Sequence, residues 1–202
     1  MKKFGLLFAL FCSFTTFAQN TPQENVWFAK DFQVGLGLSN LMPNESMMGD
    51  AHKIAKPVIY ARLGIFHYKQ FTLGLHGNAS TMNVKNTQYY GDFDRTNYYT
   101  LGPYLSFFQP VSPNIILEPY LSYDGTQYRS KYNDKKLSYS SDALGIGLDF
   151  EYKIDTNAYF IFGLKYSISK LNTNTNPHWE KYLNNYNFLS AKIGFAFSKH
   201  RL

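Results

Sequence analysis

Eight separate segments of this chain alternate apolar residues with polar or small ones at a period of two, which is the periodicity of a strand with two unlike faces. The first runs Phe32-Gln33-Val34-Gly35-Leu36-Gly37-Leu38. In the second, Ile59, Ala61, Leu63 and Ile65 form one face and Tyr60, Arg62, Gly64 and Phe66 the other. Phe71, Leu73 and Leu75 follow against Thr72, Gly74 and His76, then Tyr99, Leu101, Leu105 and Phe107 against Tyr98, Thr100, Gly102, Tyr104 and Ser106. The fifth sets Ile115, Leu117, Leu121 and Tyr123 against Ile116, Glu118, Tyr120, Ser122 and Asp124, and the sixth Leu144, Ile146, Leu148 and Phe150 against Gly145, Gly147, Asp149 and Glu151. Phe160 to Ile168 and Leu189 to Phe197 complete the set.

The connections alternate as well. Those near Tyr68-Lys69-Gln70, Pro110 to Pro113 and Ile154 to Asn157 are short, whereas Ser39 to Lys56, Thr81 to Arg95, Gly125 to Lys136 and Asn172 to Asn185 are long. An even number of strands joined alternately by short turns and long polar loops predicts an all-β fold, an eight-stranded antiparallel up-and-down transmembrane β-barrel. In that arrangement the long loops face outside and both termini lie on the periplasmic side.

Alternation does not say which face is inside, because a soluble barrel puts its oily face inward. Composition and glycine placement decide it. The chain carries 17 Tyr and 18 Phe, yet its mean hydropathy is only -0.32, as expected when alternate residues alone meet hydrocarbon. Gly35, Gly37, Gly64, Gly74, Gly102, Gly145, Gly147, Gly163 and Gly194 all fall on the face that carries the charges. A solvated strand gains nothing from glycine, whereas a narrow barrel needs very small residues to admit large ones. The charged face is therefore read as the lumen, enclosing Arg62, His76, Glu118, Asp149, Glu151, Lys165 and Lys192, which must pair to offset their lost hydration.

Two registers follow from the turns. Folding the second hairpin about Lys69 sets Arg62 across from His76, Gly64 across from Gly74 and Leu63 beside Leu75, with Glu118 or Asp149 as the carboxylate for Arg62. Folding the next about Val111 sets Pro103 opposite Pro119, both outward in mid-strand, and predicts a local bulge where the two donors are missing.

The N-terminus, Met1-Lys2-Lys3 followed by an apolar stretch to Phe17 and then Ala18-Gln19, has the layout of a secretory signal peptide cleaved between Ala18 and Gln19. Residues 1–18 are then signal and 19–202 one barrel domain. The single cysteine, Cys12, lies in the signal, and Phe11 before it argues against lipidation. The mature chain then has neither thiol nor disulfide. The net charge of +6 falls when Lys2 and Lys3 leave, and by itself identifies no partner.

The pattern resembles the small outer-membrane β-barrel proteins, the group that includes OmpX and the membrane domain of OmpA, and in style the barrels of Bacteroidetes. Its sharpest local element is the last strand, where Ile193, Phe195 and Phe197 look like the terminal signal read by the barrel-assembly machinery. The tail Ser198-Lys199-His200-Arg201-Leu202 departs from it, since many relatives stop at the aromatic. The resemblance implies a place in the cell outer membrane, contact with its lipid and lipopolysaccharide, and a structural or surface-interaction role with four long loops on a side-chain-filled barrel.

Candidate chemistry is sparse. His52, His67, His76, His178 and His200 show no metal-preorganising spacing, so neither metal nor cofactor is expected. His67 and Tyr68 fit an interfacial belt. Some eight-stranded barrels modify lipid A, and His76 with Ser80 or Ser122 and Glu118 is the set from which a hydrolase would be assembled. A narrow pore is the other alternative. The stretch Tyr128 to Lys136 is basic and aromatic. Its surface location argues against nucleic acid, and Arg129, Lys131, Lys135 and Lys136 are read as a solvated loop or a contact for lipopolysaccharide phosphates, with any other extracellular ligand unknown.

Overall fold

A computed structural model describes residues 27–42, 46–132, 135–173 and 177–198, so the signal and its cleavage site lie outside the described residues. The strands are β1 (Trp27–Leu41), β2 (Ala55–Tyr68), β3 (Phe71–Asn83), β4 (Arg95–Phe107), the short β5 (Gln109–Ser112), β6 (Ile115–Tyr132), β7 (Lys135–Asp155), β8 (Ala158–Leu171) and β9 (Asn185–Ser198). All pair antiparallel in the order β4-β3-β2-β1-β9-β8-β7-β6-β5, and a further β4–β6 pairing closes the sheet into an eight-stranded barrel to which β5 is a small appendage. Closure leaves no open edge for association with another chain.

Through the middle of the barrel exposure alternates along the strands, and there the exposed set is the apolar one: Leu36 (55%), Ile59 (59%), Leu101 (65%) and Leu144 (60%) stand out from the wall on β1, β2, β4 and β7. A band of this width facing water would be aggregation-prone, whereas facing hydrocarbon it is the lipid contact of a membrane barrel. The glycine-rich, charged face is the interior, with Arg62, His76, Glu118, Asp149, Glu151 and Lys165 all buried.

The second hairpin has the register expected from Lys69: Arg62 faces His76, Leu63 faces Leu75 and Gly64 faces Gly74. A register shift between Gly64 and Phe66 then turns Ile65 and Phe66 both outward. This overturns the inward assignment of Phe66 and also the interfacial one of His67. The His67 ring is half-buried and its Nδ1 lies 2.8 Å from the hydroxyl of the buried Thr72. One extra residue in a strand exchanges its faces.

The third hairpin differs from expectation by two residues at its tip. The turn residues are Pro113 and Asn114, not Val111, which suits proline's fixed φ and asparagine's tolerance of tight turns. Tyr104 consequently faces Ser122 and Ser106 faces Tyr120, so Pro103 is level with Tyr123 and the two prolines are not opposed. The β4–β6 register is the same on both sides of Pro103, without the anticipated bulge; only the pairs at Gly102 and Pro103 lapse. Pro119 pairs with Leu148 on one side and on the other meets the break between β4 and β5, so each missing donor falls at an interruption of the ladder.

At the loop end the chain is folded, not merely displayed. Helices α1 (Met47–Ala51), α2 (Thr87–Tyr90) and α3 (Glu180–Asn184) occupy three of the four long connections. Ser46 caps α1 by accepting from the Gly49 amide at 3.1 Å, and Tyr182 ties α3 to α1 by donating to Asp50 at 3.2 Å. The fourth connection is no loop: β6 and β7 continue as a hairpin through Tyr132 and Lys135.

Candidate functional site

The interior is layered along the barrel axis. At the turn end Ile116, Tyr159, Ile161 and Ala196 form a small apolar cluster. At the loop end a larger one includes Met48 and Ala51 of α1, Tyr90 of α2, and Tyr98, Tyr128 and Phe188 from the wall. Between them lies the polar layer.

Arg62 is the hub of that layer. Its guanidinium donates to Glu118 Oε1 at 2.8 Å and to Asp149 Oδ2 at 2.7 Å, so both candidate carboxylates are used at once. Such a two-pronged contact suits the planar fork of arginine and not the point charge of lysine. The same guanidinium lies 3.9 Å from the Tyr104 ring centroid and 4.5 Å from that of Tyr120. Lys192 joins Asp149 at 2.8 Å. Gln33 donates to Glu118 and to Glu151, each at 3.2 Å.

A second group surrounds Asp124, whose oxygens take Lys165 Nζ and His76 Nε2 at 2.5 Å each. All seven charged residues read from the sequence as lumenal are thus gathered in the layer. Gln33, Asp124, Tyr104 and Tyr120 belong to it too, and were missed as partners although each falls on the inner face of the alternation.

Glycines make the two Arg62 platforms possible. Gly74 pairs with Tyr104 and Gly147 with Tyr120, and a Cβ at either position would overlap the tyrosine ring. The Arg62 guanidinium and the Lys192 ammonium lie 4.5 and 5.6 Å from the Tyr120 ring centroid, so moving the ring aside disturbs both cations. Gly147→Ala is therefore expected to cost about 1–3 kcal/mol, the range for overpacking a well-filled interior. Urea unfolding of the refolded protein checks it, and Gly147→Ala should cost much less in a Tyr120→Leu background.

The hydrolase set does not assemble. Ser80 donates to the Pro57 carbonyl at 2.6 Å, and Ser122 donates to Asp124 at 3.3 Å rather than to His76. Glu118 belongs to Arg62, and the carboxylate beside His76 is Asp124. A serine whose proton points at a carboxylate already engaged by lysine and histidine is not poised for attack on a substrate. Among the described residues no group of His, Cys, Asp and Glu has the arrangement of a metal site.

The basic stretch lies on the β6–β7 hairpin. Tyr128 and Ser130 are buried while Arg129, Lys131 and Lys136 are exposed; Lys131 stands directly across from Lys136, and Lys135 across from Tyr132. Ile193, Phe195 and Phe197 all face outward on β9.

No family model matches the chain, and no curated protein matches its sequence. In backbone shape it is similar to Neisserial surface protein A, with a TM-score of 0.62 and 11% identity over 87% of this chain and 99% of that one. It is also similar to the outer membrane protein OprG of Pseudomonas aeruginosa, with a TM-score of 0.51 and 13% identity over 84% of this chain and 96% of that one. Identities this low establish a shared fold, that of small outer-membrane β-barrels. With the apolar belt of the wall, that fold places the chain in the outer membrane.

Proposed function

We propose that this protein is a non-conducting outer-membrane barrel with a structural or surface-interaction role, its loop end outside. The filled lumen carries the reading. The Arg62 and Asp124 networks occupy the middle, and α1 inserts Met48 and Ala51, both fully buried, into the apolar layer above them. A conducting path would have to break paired buried charges at a cost of several kcal/mol.

The surface so presented is a folded cap plus a projecting basic hairpin, in place of four free loops. Phosphate-bearing lipid of the outer leaflet is its proposed partner. Insertion by the barrel-assembly machinery would use the outward aromatics of β9.

Planar-bilayer recording in concentrated KCl tests the reading. The expected result is a silent bilayer despite insertion verified by heat-modifiable gel mobility; reproducible unitary steps would overturn it in favour of a pore. An altered acyl pattern of lipid A on expression, abolished by His76→Ala, would instead favour an enzyme.

A further inference from the structure

On the outside of the wall, above the apolar band, lies an open cleft of about 680 Å³ whose cations come from three segments: Lys53 and Lys56, Lys85, and Arg95. Among the described residues no Asp or Glu lines it, and none of the four cations makes an ion pair. Four positive charges around one space raise its potential and favour an occupant carrying two or more negative charges.

The cleft is built, not a chance grouping of flexible side chains. The Lys53 amide donates to the Asn83 carbonyl at 2.8 Å and the Lys85 amide to the Ala51 carbonyl at 2.7 Å. His52 and Val84 form a β-bridge between those bonds. The stretch after α1 is thus stitched to the stretch before α2, with His52 buried behind it. Lys56 is the second residue of β2, and Arg95 opens β4 opposite Asn83.

Position along the barrel specifies the occupant further. Ile54, 45% exposed, lines the cleft itself, and below it on the same strands Ile59, Tyr99 and Leu101 are more than half exposed and face lipid. Cations directly above an oily wall match a molecule with an anionic head and acyl chains. A phosphate monoester carries about -1.5 to -2 charges at neutral pH, which suits four cations better than the single charge of a phosphodiester.

From these observations we infer that the cleft of Lys53, Lys56, Lys85 and Arg95 binds the phosphate monoester of an acylated glycolipid in the outer leaflet, its chains lying against Ile59 and Leu101. The inference rests on the reading of the chain as an outer-membrane surface barrel. It assigns the lipid phosphate to this cleft and not to the β6–β7 hairpin.

The test uses the full mature barrel refolded in detergent, with bis-phosphorylated lipid A, its dephosphorylated counterpart, phosphatidylglycerol and inorganic phosphate as probes, bound fractions being read by native mass spectrometry. Bis-phosphorylated lipid A should bind best. The triple variant Lys53→Ala, Lys85→Ala, Arg95→Ala should weaken it roughly 100-fold, since each cation near an anionic lipid surface contributes a factor of about five. Arg129→Ala with Lys131→Ala and Lys136→Ala should leave it unchanged, and heat-modifiable mobility checks that both variants are folded. Unchanged affinity in the cleft variant, loss in the hairpin variant instead, or inorganic phosphate binding as tightly as the lipid each overturns the inference. Bilayer conductance is read separately, so a barrel that conducts yet binds lipid A through the cleft would refute only the non-conducting role.

Discussion

Replacing Arg62 by methionine is expected to destabilise the barrel by about 3–5 kcal/mol, the usual cost of removing one partner from a buried charge cluster. Methionine keeps the unbranched apolar stem but ends short of the guanidinium, so the variant loses the charge and that group's contacts with the Tyr104 and Tyr120 rings together. Asp149 would keep Lys192. Glu118 would keep the amide of Gln33, a neutral donor shared with Glu151, and would lose its bond to the guanidinium. Arg62→Lys should fall between, because one ammonium cannot fork to two carboxylates while also meeting both the Tyr104 and Tyr120 rings.

The discriminating variant is the triple one, Arg62→Met with Glu118→Gln and Asp149→Asn. If the loss in the single variant comes from stranded charges, neutralising them should recover most of it, since exchanging a whole buried ion cluster for neutral groups is often close to neutral. Urea unfolding of protein refolded into lipid vesicles, followed by gel mobility, measures both. A single variant within about 1 kcal/mol of the parent would show that the network contributes little to stability.

This cluster also shows what the sequence made legible. The inner face could be identified because glycine and charge coincide on it, and the Arg62–His76 register because the short turn at Lys69 leaves one way to fold. Asp124 and Gln33 lie on that same face, but which cation meets which anion depends on barrel closure: Arg62 on β2 reaches Glu118 on β6 and Asp149 on β7 across the lumen. No hairpin register contains those contacts.

Other parts were unreadable for reasons of period and environment. The bulge at Ile65 inserts one residue with no turn signal, so an unbroken alternation puts Phe66 and His67 on the wrong faces. The β6–β7 extension reverses the code used elsewhere: Tyr128 points in and Arg129 and Lys131 point out, because above the lipid the wall faces water while the interior stays apolar. A search for oily outward faces stops where the membrane stops. Helix α1, only five residues long, is too short to show a helical period. Its role comes from position, as Met48 and Ala51 fill the mouth that eight strands leave open.

That mouth is expected to loosen in acid. His52 sits just after α1, buried at 3% exposure and edge-on to the Tyr90 ring with centroids 4.3 Å apart. Its Nδ1 lies 3.1 Å from the Met48 carbonyl, which can only accept, so the proton is on Nδ1 and Nε2 accepts from the Thr96 hydroxyl at 2.9 Å. Thr96 and Tyr90 in turn meet the Ser130 hydroxyl at 2.9 and 3.2 Å. The neutral ring thus joins α1, α2, β4 and β6.

Burial is the main reason that its pKa is lowered from 6.5 to about 4; the Lys85 charge adds to this, and the Met48 bond opposes it. The sign follows from proton counting. Between about pH 6.5 and 4 the open cap binds a proton that the closed one refuses, so closure weakens as pH falls through that window. It is fully favoured above the upper limit, and below the lower one there is nothing more to lose. The span corresponds to about 3 kcal/mol, at about 1.4 kcal/mol per unit. Hydrogen exchange over residues 46–53 and 84–96, corrected for the intrinsic pH dependence of exchange, should show protection falling on the order of 100-fold from pH 7.5 to 4.5. His52→Gln keeps a donor and an acceptor but cannot titrate, and should make the profile flat. If the parent's protection is equally flat, His52 does not hold the cap closed through its neutral form.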